Sequence, residues 1–139
     1  MDIILHIDLR KIDSSYDKAI DEYFKRTSSF TNIKKKLYKD FSSIELKKGS
    51  YRIAVSYGNK TISSVELAKK ISDINLSGYS CIEFLISDNM KNIYNIVTND
   101  NTEIFYLTTV KLNADIAAVT LAEQIYRAYT INNNINYHK

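Results

Sequence analysis

The chain of 139 residues is long enough for one domain that buries about two thirds of the surface its unfolded form exposes. Its 19 basic and 16 acidic residues give a net charge of +3, which excludes a strongly cationic, histone-like binder of nucleic acid. The opening apolar run, residues 3–7, is broken at Asp8. A run this short excludes a signal-peptide core and a membrane span, so we expect a cytoplasmic protein with no membrane partner.

The first third of the chain contains one strand and one helix before a stretch that fits two structures. The apolar residues 3–7 predict a buried strand. Ser14 is a candidate N-cap, and the apolar residues at helical spacing after it predict a helix that ends near Ser28 or Ser29. Residues 31–48 fit both a helical spacing and a strand alternation, so their structure is open between the two.

The central third alternates strand, helix and strand. Tyr51–Tyr57 is predicted as an inner strand that ends at a Gly-Asn turn. Ser63 and Glu66 have the spacing of a capping box, which predicts the start of a helix that runs to Gly78. The almost wholly apolar segment Cys81–Ile86 predicts the next strand.

The last third predicts a short helix, a strand and a long final helix. Weak helical periodicity covers residues 90–97, and residues 103–107 form the next predicted strand. From Asp115 onward, apolar residues recur at helical spacing, so one face of the final helix is buried. Strands that alternate with helices predict a single α/β domain over residues 1–139, with a mostly parallel sheet flanked by helices.

Three further features are interpreted as structural, and one of them, the lysine-rich segment, also has a functional alternative. Cys81 has no second cysteine to pair with, which fits a reducing compartment and a buried, inert thiol. His6 lies inside the first predicted strand and is interpreted as structural. Lysines concentrate between positions 34 and 48. A solvated face is the default interpretation of these lysines, and a phosphate-contacting patch is the alternative.

The C-terminal segment carries the most specific pattern in the chain. The helical sequence LAEQIYRAY, which begins at Leu121, is followed eight residues later by YHK. This pattern resembles the C-terminal signature of the RlmH family, SPOUT-class methyltransferases of large-subunit ribosomal RNA. In that family, a helix with Glu-Gln-hydrophobic-Tyr-Arg-Ala is followed by a Pro-Tyr-His-Lys/Arg tail.

The resemblance extends to the middle of the chain, where the family motifs are altered. The family strand that ends in Asp and is followed by Gly-Lys is similar to residues 52–60, with Ser56 in place of the Asp and Asn59 in place of the Gly. The family's Phe-hydrophobic-Ile-Gly-Gly-x-x-Gly segment begins here at Phe84, but its three glycines are replaced. Those three positions hold Ser87, Asp88 and Lys91. The family's later Pro-His and helix Arg correspond to Asn113, Ala114 and Ala118.

The resemblance implies a fold, an assembly, a cofactor and a substrate. The implied fold is an α/β sheet with a deep C-terminal trefoil knot, and the implied assembly is a homodimer. The family uses S-adenosylmethionine to methylate N3 of a pseudouridine in large-subunit rRNA on the ribosome, and no DNA partner is expected. The family's cofactor pocket corresponds to Val55, Asp88, Leu107, Thr108, Thr109, Val110, Lys111 and Leu112.

The end of the chain supplies the remaining candidate site residues. By the resemblance, His138 and Tyr137 are the candidate catalytic residues, and a solvated terminal histidine is the alternative for His138. A surface ion pair with Glu123 is the alternative interpretation of Arg127. The RNA-binding or dimer face implied by the family comprises Arg127, Tyr126, Tyr137, His138 and Lys139.

The replaced glycines favour a family member whose catalysis is impaired or lost. Glycine permits positive φ or close approach of a ligand, so replacing three glycines is expected to narrow the cofactor cavity. Two alternatives remain open. One is an active enzyme that binds S-adenosylmethionine through backbone amides, with Asp88 accepting a hydrogen bond from it. The other is a non-catalytic dimeric interaction module that contacts no RNA.

Overall fold

Five parallel strands form one sheet in the computed structural model, which describes residues 1–97 and 102–137. The order across the sheet is β2-β1-β4-β3-β5, so β2 and β5 are the edge strands. Each adjacent pair is parallel. The strands are β1 (Asp2–Ile7), β2 (Asn32–Leu37), β3 (Tyr51–Tyr57), β4 (Cys81–Ile86) and β5 (Glu103–Thr108). This confirms the predicted α/β domain with a parallel sheet.

The described residues contain four α-helices, of which the first three lie between strands and the last follows β5. They are α1 (Ser14–Thr27), α2 (Ser64–Leu76), α3 (Met90–Ile96) and α4 (Ala114–Asn132). α1, α2 and α4 cover one face of the sheet, and α4 packs between the other two. The main core lies under α4, where small and medium apolar side chains such as Ala118, Leu121 and Ile125 are fully buried. We call this the three-helix face.

The opposite face of the sheet is covered by α3 and by residues 38–50, which include a 3-10 turn at Phe41–Ser43. A smaller apolar cluster forms there, in which Phe41 and Ile93 pack on Ala54 and Leu85 of the sheet. We call this the thin face, because a short helix and an irregular segment replace the three helices of the other side.

The local signals that predicted α2 are present in the structure. The Ser63 hydroxyl accepts a hydrogen bond from the Glu66 N–H at 3.1 Å, and the Glu66 carboxylate accepts one from the Ser63 N–H at 3.0 Å. This is the predicted capping box, which satisfies two free donors at the helix start. Beyond the helix, Gly78 has φ +90°, a conformation that side chains rarely adopt, so the helix stops there.

The structure corrects the ends of one predicted helix and defines the segment that the sequence left open. The N-cap of α1 is Asp13 rather than Ser14, and the helix ends at Thr27. Residues 31–48, open between helix and strand in the sequence, contain β2 and the 3-10 turn. α4 continues to Asn132 because Asn side chains at a helix end still find backbone partners, as Asn133 does with the Tyr129 carbonyl at 2.8 Å.

Candidate active site

A pocket lies at the carboxyl ends of β3, β4 and β5, the edge at which open α/β sheets bind ligands. It extends from the end of β4 to the start of α4. Its walls are Val55, Ser56, Tyr57, Ile86, Ser87, Asp88, Met90, Leu107, Thr108, Lys111, Leu112 and Ala117.

Most of the predicted cofactor positions meet at this pocket. Val55, Asp88, Leu107, Thr108, Lys111 and Leu112 all line it. Thr109 and Val110 do not line it, and both are exposed, with Val110 at 63%. These two residues lie at the tip of the loop between β5 and α4 and point away from the pocket.

Asp88 is held by the start of α4. Its carboxylate accepts a 2.6 Å hydrogen bond from the Ala114 N–H, the first residue of the helix. Asn113 occupies the N-cap position but forms no side-chain cap bond. A helix start has free N–H groups and a partial positive charge, both of which favour a carboxylate. Asp88 therefore caps α4 from a different loop.

The loop after β4 is fixed by polar side chains where the family has glycines. The Ser87 hydroxyl donates to the Asp8 carboxylate at 2.6 Å, and Asn92 donates to the same oxygen at 2.9 Å. The Asn89 N–H donates to the Ser87 hydroxyl at 3.1 Å. Lys91 is exposed and does not line the pocket, whereas its neighbour Met90 does. The loop is thus tied to the end of β1.

The pocket is narrow in this conformation. Its cavity volume is about 30 Å³, whereas sites for drug-sized ligands and cofactors have roughly 300 to 1,000 Å³. The side chains of Asp88 and Met90 form one wall and Leu107 forms another. The space between the walls holds little more than water.

Alanines form the α4 side of the pocket. Ala117 lines it, while Ala114 and Ala118 are 1% and 0% exposed and belong to the main core. Ala118, expected on the pocket side, points into the core instead because successive helical residues are turned by about 100°. Among the described residues that line the pocket, the titratable side chains are Asp88, Lys111 and Tyr57.

Tyr137, a candidate catalytic residue, packs on the helices of its own chain. Its ring lies edge-on to Tyr126 with 4.9 Å between centroids, and the Arg127 guanidinium lies 4.9 Å from its centroid. Burial, a hydrogen bond with Tyr23 and the nearby Glu123 carboxylate raise the pKa of Tyr137 to about 12. Its phenol therefore stays protonated at neutral pH and is unsuited to act as a general base.

Within one chain, Tyr137 and the pocket are far apart. Tyr126, which Tyr137 contacts, lies nine residues after Ala117, or about 14 Å along the helix axis. The structure therefore does not bring Tyr137 to the pocket of its own chain. The other candidate catalytic residue, His138, and the predicted RNA contact Lys139 lie outside the described residues.

Arg127 forms the surface ion pair that is one of its two interpretations. Its guanidinium bonds the Glu123 carboxylate at 2.8 Å, the expected pair four residues apart, and it also stacks on Tyr137. Arg127 and Tyr137 line one depression on the three-helix face with Val65, Ile131 and Ile135, which has a cavity volume of about 390 Å³. We call it the α2/α4 depression. Three members of the implied RNA or dimer face thus lie together, since Tyr126 contacts Tyr137.

A buried polar network under the thin face was missed by the functional analysis of the sequence. His6 and Glu83 are both 0% exposed, and the imidazole Nε2 lies 2.5 Å from the Glu83 carboxylate. The other imidazole nitrogen lies 2.7 Å from the Tyr38 hydroxyl. The second Glu83 oxygen accepts bonds from the Lys47 N–H at 2.7 Å and the Ser50 hydroxyl at 2.6 Å. The available signal was a glutamate inside the otherwise apolar strand Cys81–Ile86.

The hydrogen bonds of this network determine the ionisation of Glu83. Burial by itself raises the pKa of a carboxyl, but the bonds from His6, Ser50 and the Lys47 N–H outweigh it. The pKa of Glu83 is therefore lowered from its ordinary value. The network holds residues 38–50 on the sheet and keeps His6 in the structural position that was predicted for it.

Two other classes of site do not occur in residues 1–97 and 102–137. No cluster of three or more His, Cys, Asp or Glu side chains could hold a metal ion there. None of the helices in these ranges is long and apolar enough to cross a membrane. Cys81 is buried, and burial raises the pKa of its thiol, which fits the inert thiol expected.

Comparison with known proteins extends the resemblance over nearly the whole chain. The family model described as "Predicted SPOUT methyltransferase" matches residues 1–138. Ribosomal RNA large subunit methyltransferase H 1 of Thermoanaerobacter sp. (strain X514) is 34% identical over 131 residues, covering 93% of this chain and 92% of that protein. The methyltransferase H of Oenococcus oeni is 32% identical over 151 residues, covering 93% and 94%.

A relative from an archaeon shows the same extent of similarity. The putative ribosomal RNA large subunit methyltransferase H of Methanococcus maripaludis is 31% identical over 155 residues, covering 96% of this chain and 97% of that protein. The chain belongs to the SPOUT methyltransferases, in the RlmH family of large-subunit rRNA methyltransferases.

Proposed function

We propose that this protein docks on large-subunit rRNA, the RNA that the names of its relatives give as their substrate. We propose further that its methyl transfer is impaired or lost. The observation that carries the proposal is the pocket. In this conformation it has a cavity volume of about 30 Å³, and the residues of its loop are committed to bonds within the protein. The family's cofactor supplies the methyl group, and the walls of this pocket do not fit a molecule of that size.

The Asp88 carboxylate alone does not exclude the alternative of an active enzyme, because the Ala114 N–H occupies only its Oδ1 and leaves Oδ2 able to accept a bond from a cofactor group. Lack of space is what opposes cofactor binding. Neither Ser87 nor Asp88 has a positive φ, so the expected loss is steric: about 1.4 kcal/mol at each of these two former glycine positions would weaken binding about a hundredfold. Neither Ala114 nor Ala117 offers a polar group in compensation.

Isothermal titration calorimetry with S-adenosylmethionine tests the proposal. We expect no heat of binding at micromolar protein and ligand, and we expect binding to strengthen in a variant with glycine at all three altered positions, S87G/D88G/K91G. Micromolar binding by the unaltered protein, together with methyl transfer to ribosomal RNA in a tritium assay, would instead establish the alternative of an active enzyme that holds its cofactor through backbone amides.

We propose that the RNA contacts include the aromatic and cationic residues at the end of the chain. Tyr137 with Arg127 presents a stacked ring and a guanidinium, which suit a base and a phosphate respectively. Co-sedimentation with ribosomes across a salt series tests this docking, because phosphate contacts are strongest at low salt. Absence of association at the lowest salt would favour the second alternative, a non-catalytic dimeric module that contacts no RNA.

We also propose the homodimer that the family resemblance implies, with the α2/α4 depression as part of its interface. Val65, Ile131 and Ile135 are 66%, 39% and 47% exposed around that depression. Exposed apolar side chains gathered at one place are typical of a surface covered by a partner. In a two-fold dimer, each chain would contribute the same depression to the interface.

The trefoil knot is likewise a proposal from the family resemblance. Two features support it. β3 lies between β4 and β5 in the sheet, so the connection from β4 to β5 crosses over β3. After β5, the chain returns as α4 to pack between α1 and α2. Stretching the unfolded chain by its two ends in optical tweezers tests it. A knotted chain extends to less than its full contour length, whereas an unknotted chain reaches it.

A further inference from the structure

The lysine-rich stretch of the sequence divides between the two faces of the sheet. β2 is an edge strand, and its residues alternate in direction. Lys35 points to the three-helix face, where it pairs with Asp21 at 2.5 Å and Asp17 at 3.1 Å of α1. Lys34 and Lys36 point to the thin face, are exposed, and have no ion-pair partner among the described residues. The consecutive lysines therefore have different roles.

Residues 38–50 bring further lysines to the same face. The Tyr38 hydroxyl bonds His6 of β1, so the chain turns over the thin face directly after β2, and the exposed Lys39 lies at this turn. The Lys47 N–H bonds Glu83 of β4, which places Lys47 and Lys48 above the middle of the sheet. We call Lys34, Lys36, Lys39, Lys47 and Lys48 the thin-face lysines.

Acidic side chains balance only part of this charge. Asp2 pairs with Lys47 at a distance of 3.7 Å and accepts a bond from Asn32. Asp40 caps the 3-10 turn, where it accepts bonds from Ser42, and Glu45 is exposed on the same segment. Lys34, Lys36, Lys39 and Lys48 have no ion pair within the described residues, so a local excess of positive charge remains although the whole chain carries only +3.

Edge protection accounts for part of this pattern but not for all of it. Lysines on an edge strand discourage pairing with a second chain, which suffices for Lys34 and Lys36. Lys39, Lys47 and Lys48 lie outside the strand and have no such role. The buried Glu83 fixes the backbone that carries Lys47, so these cations are presented by an anchored segment.

We propose that the thin-face lysines contact the phosphate backbone of the RNA on which this protein docks. The inference rests on the proposed RNA docking and extends it to a surface that the tail and the pocket do not include. Ammonium groups along a backbone-anchored surface suit phosphates, which require charge without base readout. Contacts to phosphates carry no sequence information, so this surface would add affinity and orientation rather than sequence specificity.

The position of this surface suits an RNA that also reaches the pocket. In the order β2-β1-β4, strand β2 lies two strand spacings, or about 10 Å, from β4, whose loop forms the pocket wall. Lys47 pairs with Asp2 at the amino end of β1, so the lysine surface extends from beside the pocket towards the opposite edge of the sheet. The phosphate backbone of a bound RNA would therefore cross the thin face.

Fluorescence anisotropy with a labelled stem-loop RNA, over a series of salt concentrations, tests the proposal. The variant K39Q/K48Q removes two thin-face lysines that lie outside the edge strand. K18Q/K25Q is the control, because Lys18 and Lys25 are exposed on α1 and the two variants lose equal charge. Both changes are at the surface, so both proteins should remain folded by circular dichroism. We expect the slope of log affinity against log salt to become shallower by about 2 in K39Q/K48Q and to be unchanged in the control.

The outcomes separate this inference from the proposed function. If the unaltered protein binds the RNA but both variants change its salt dependence equally, the thin-face contact is refuted and the RNA docking is retained. If the unaltered protein binds neither the stem-loop nor ribosomes at low salt, the proposed function itself fails. Lysine-dependent binding to phosphatidylserine vesicles without binding to RNA would refute the inference in favour of a membrane surface.

Discussion

At the scale of single residues, Glu83 determines how the thin face is built. One of its oxygens accepts two bonds from residues 47 and 50, and the other lies against His6. We expect Glu83→Gln to destabilise the protein by roughly 1 to 3 kcal/mol, because a neutral amide replaces the charge-assisted hydrogen bonds of the carboxylate with weaker ones. Urea unfolding followed by circular dichroism measures the change. The exposed Glu45 supplies the control Glu45→Gln, for which we expect no change beyond about 0.5 kcal/mol.

The lowered pKa of Glu83 also predicts a dependence of stability on pH. A carboxyl whose pKa is lower in the folded state stabilises the fold above its unfolded pKa, and this contribution disappears as pH falls through the folded pKa. We therefore expect the free energy of unfolding to decrease below about pH 4, the ordinary range of a glutamate carboxyl. The decrease should be smaller in Glu83→Gln, which has no such carboxyl. Equal acid sensitivity of the two proteins would show that other carboxyls dominate.

At the scale of elements, α4 begins under the control of a loop that is distant in sequence. Asp88 caps it through the Ala114 N–H, whereas Asp13, at the N-cap of α1, makes no side-chain cap bond. We expect Asp88→Ala to destabilise the protein by about 1 kcal/mol, the usual value of a helix cap, and Asp13→Ala to cost measurably less. Thermal unfolding of the two variants side by side measures this difference. Equal losses would mean that the Asp88 bond contributes nothing specific.

The elements that sequence could predict are those with strong local signals. The strands Tyr51–Tyr57 and Cys81–Ile86 and the capping box at Ser63 were predicted where the structure has them. Residues 31–48 remained open because their fold depends on Glu83, whose partners lie more than thirty positions away. No pattern within that segment encodes such a contact.

The pocket was predictable through family resemblance but its interior was not. The family motifs predicted that Val55, Asp88 and Leu107 lie together, as they do in the pocket. Each of these motifs lies at the carboxyl end of a strand, and the carboxyl ends of parallel strands meet at one edge of the sheet. The bond from Ala114 to Asp88 joins two loops and has no local sequence signal. The same reason explains why Ala117 rather than Ala118 lines the pocket: the phase of α4 is fixed by its packing between two other helices.

At the scale of the whole molecule, the two faces of the sheet carry different sets of proposed contacts. The three-helix face carries the α2/α4 depression, proposed for the dimer and, through Tyr137 and Arg127, for RNA, whereas the thin face carries only the lysines proposed for RNA. Dimerisation through one face leaves the other free in both copies. A two-fold dimer would therefore present two lysine surfaces, so RNA affinity should depend on dimer concentration as well as on salt.

The dimer can be tested with two matched lysine substitutions in the last turn of two helices. Ile131 lies near the end of α4 in the α2/α4 depression, and Leu76 ends α2 at 82% exposure, away from that depression. A lysine is favourable near a helix C-terminus, so neither Ile131→Lys nor Leu76→Lys should unfold the chain. Light scattering should give the unaltered protein twice the chain mass of 16.0 kDa. We expect the dimer mass from Leu76→Lys as well. The Ile131→Lys dimer should begin to dissociate at protein concentrations at least tenfold higher than those at which the unaltered dimer dissociates, because its interface would bury an added positive charge near Arg127. A monomeric mass for the unaltered protein at all concentrations, or equal dissociation of the two variants, would place the interface elsewhere or remove it.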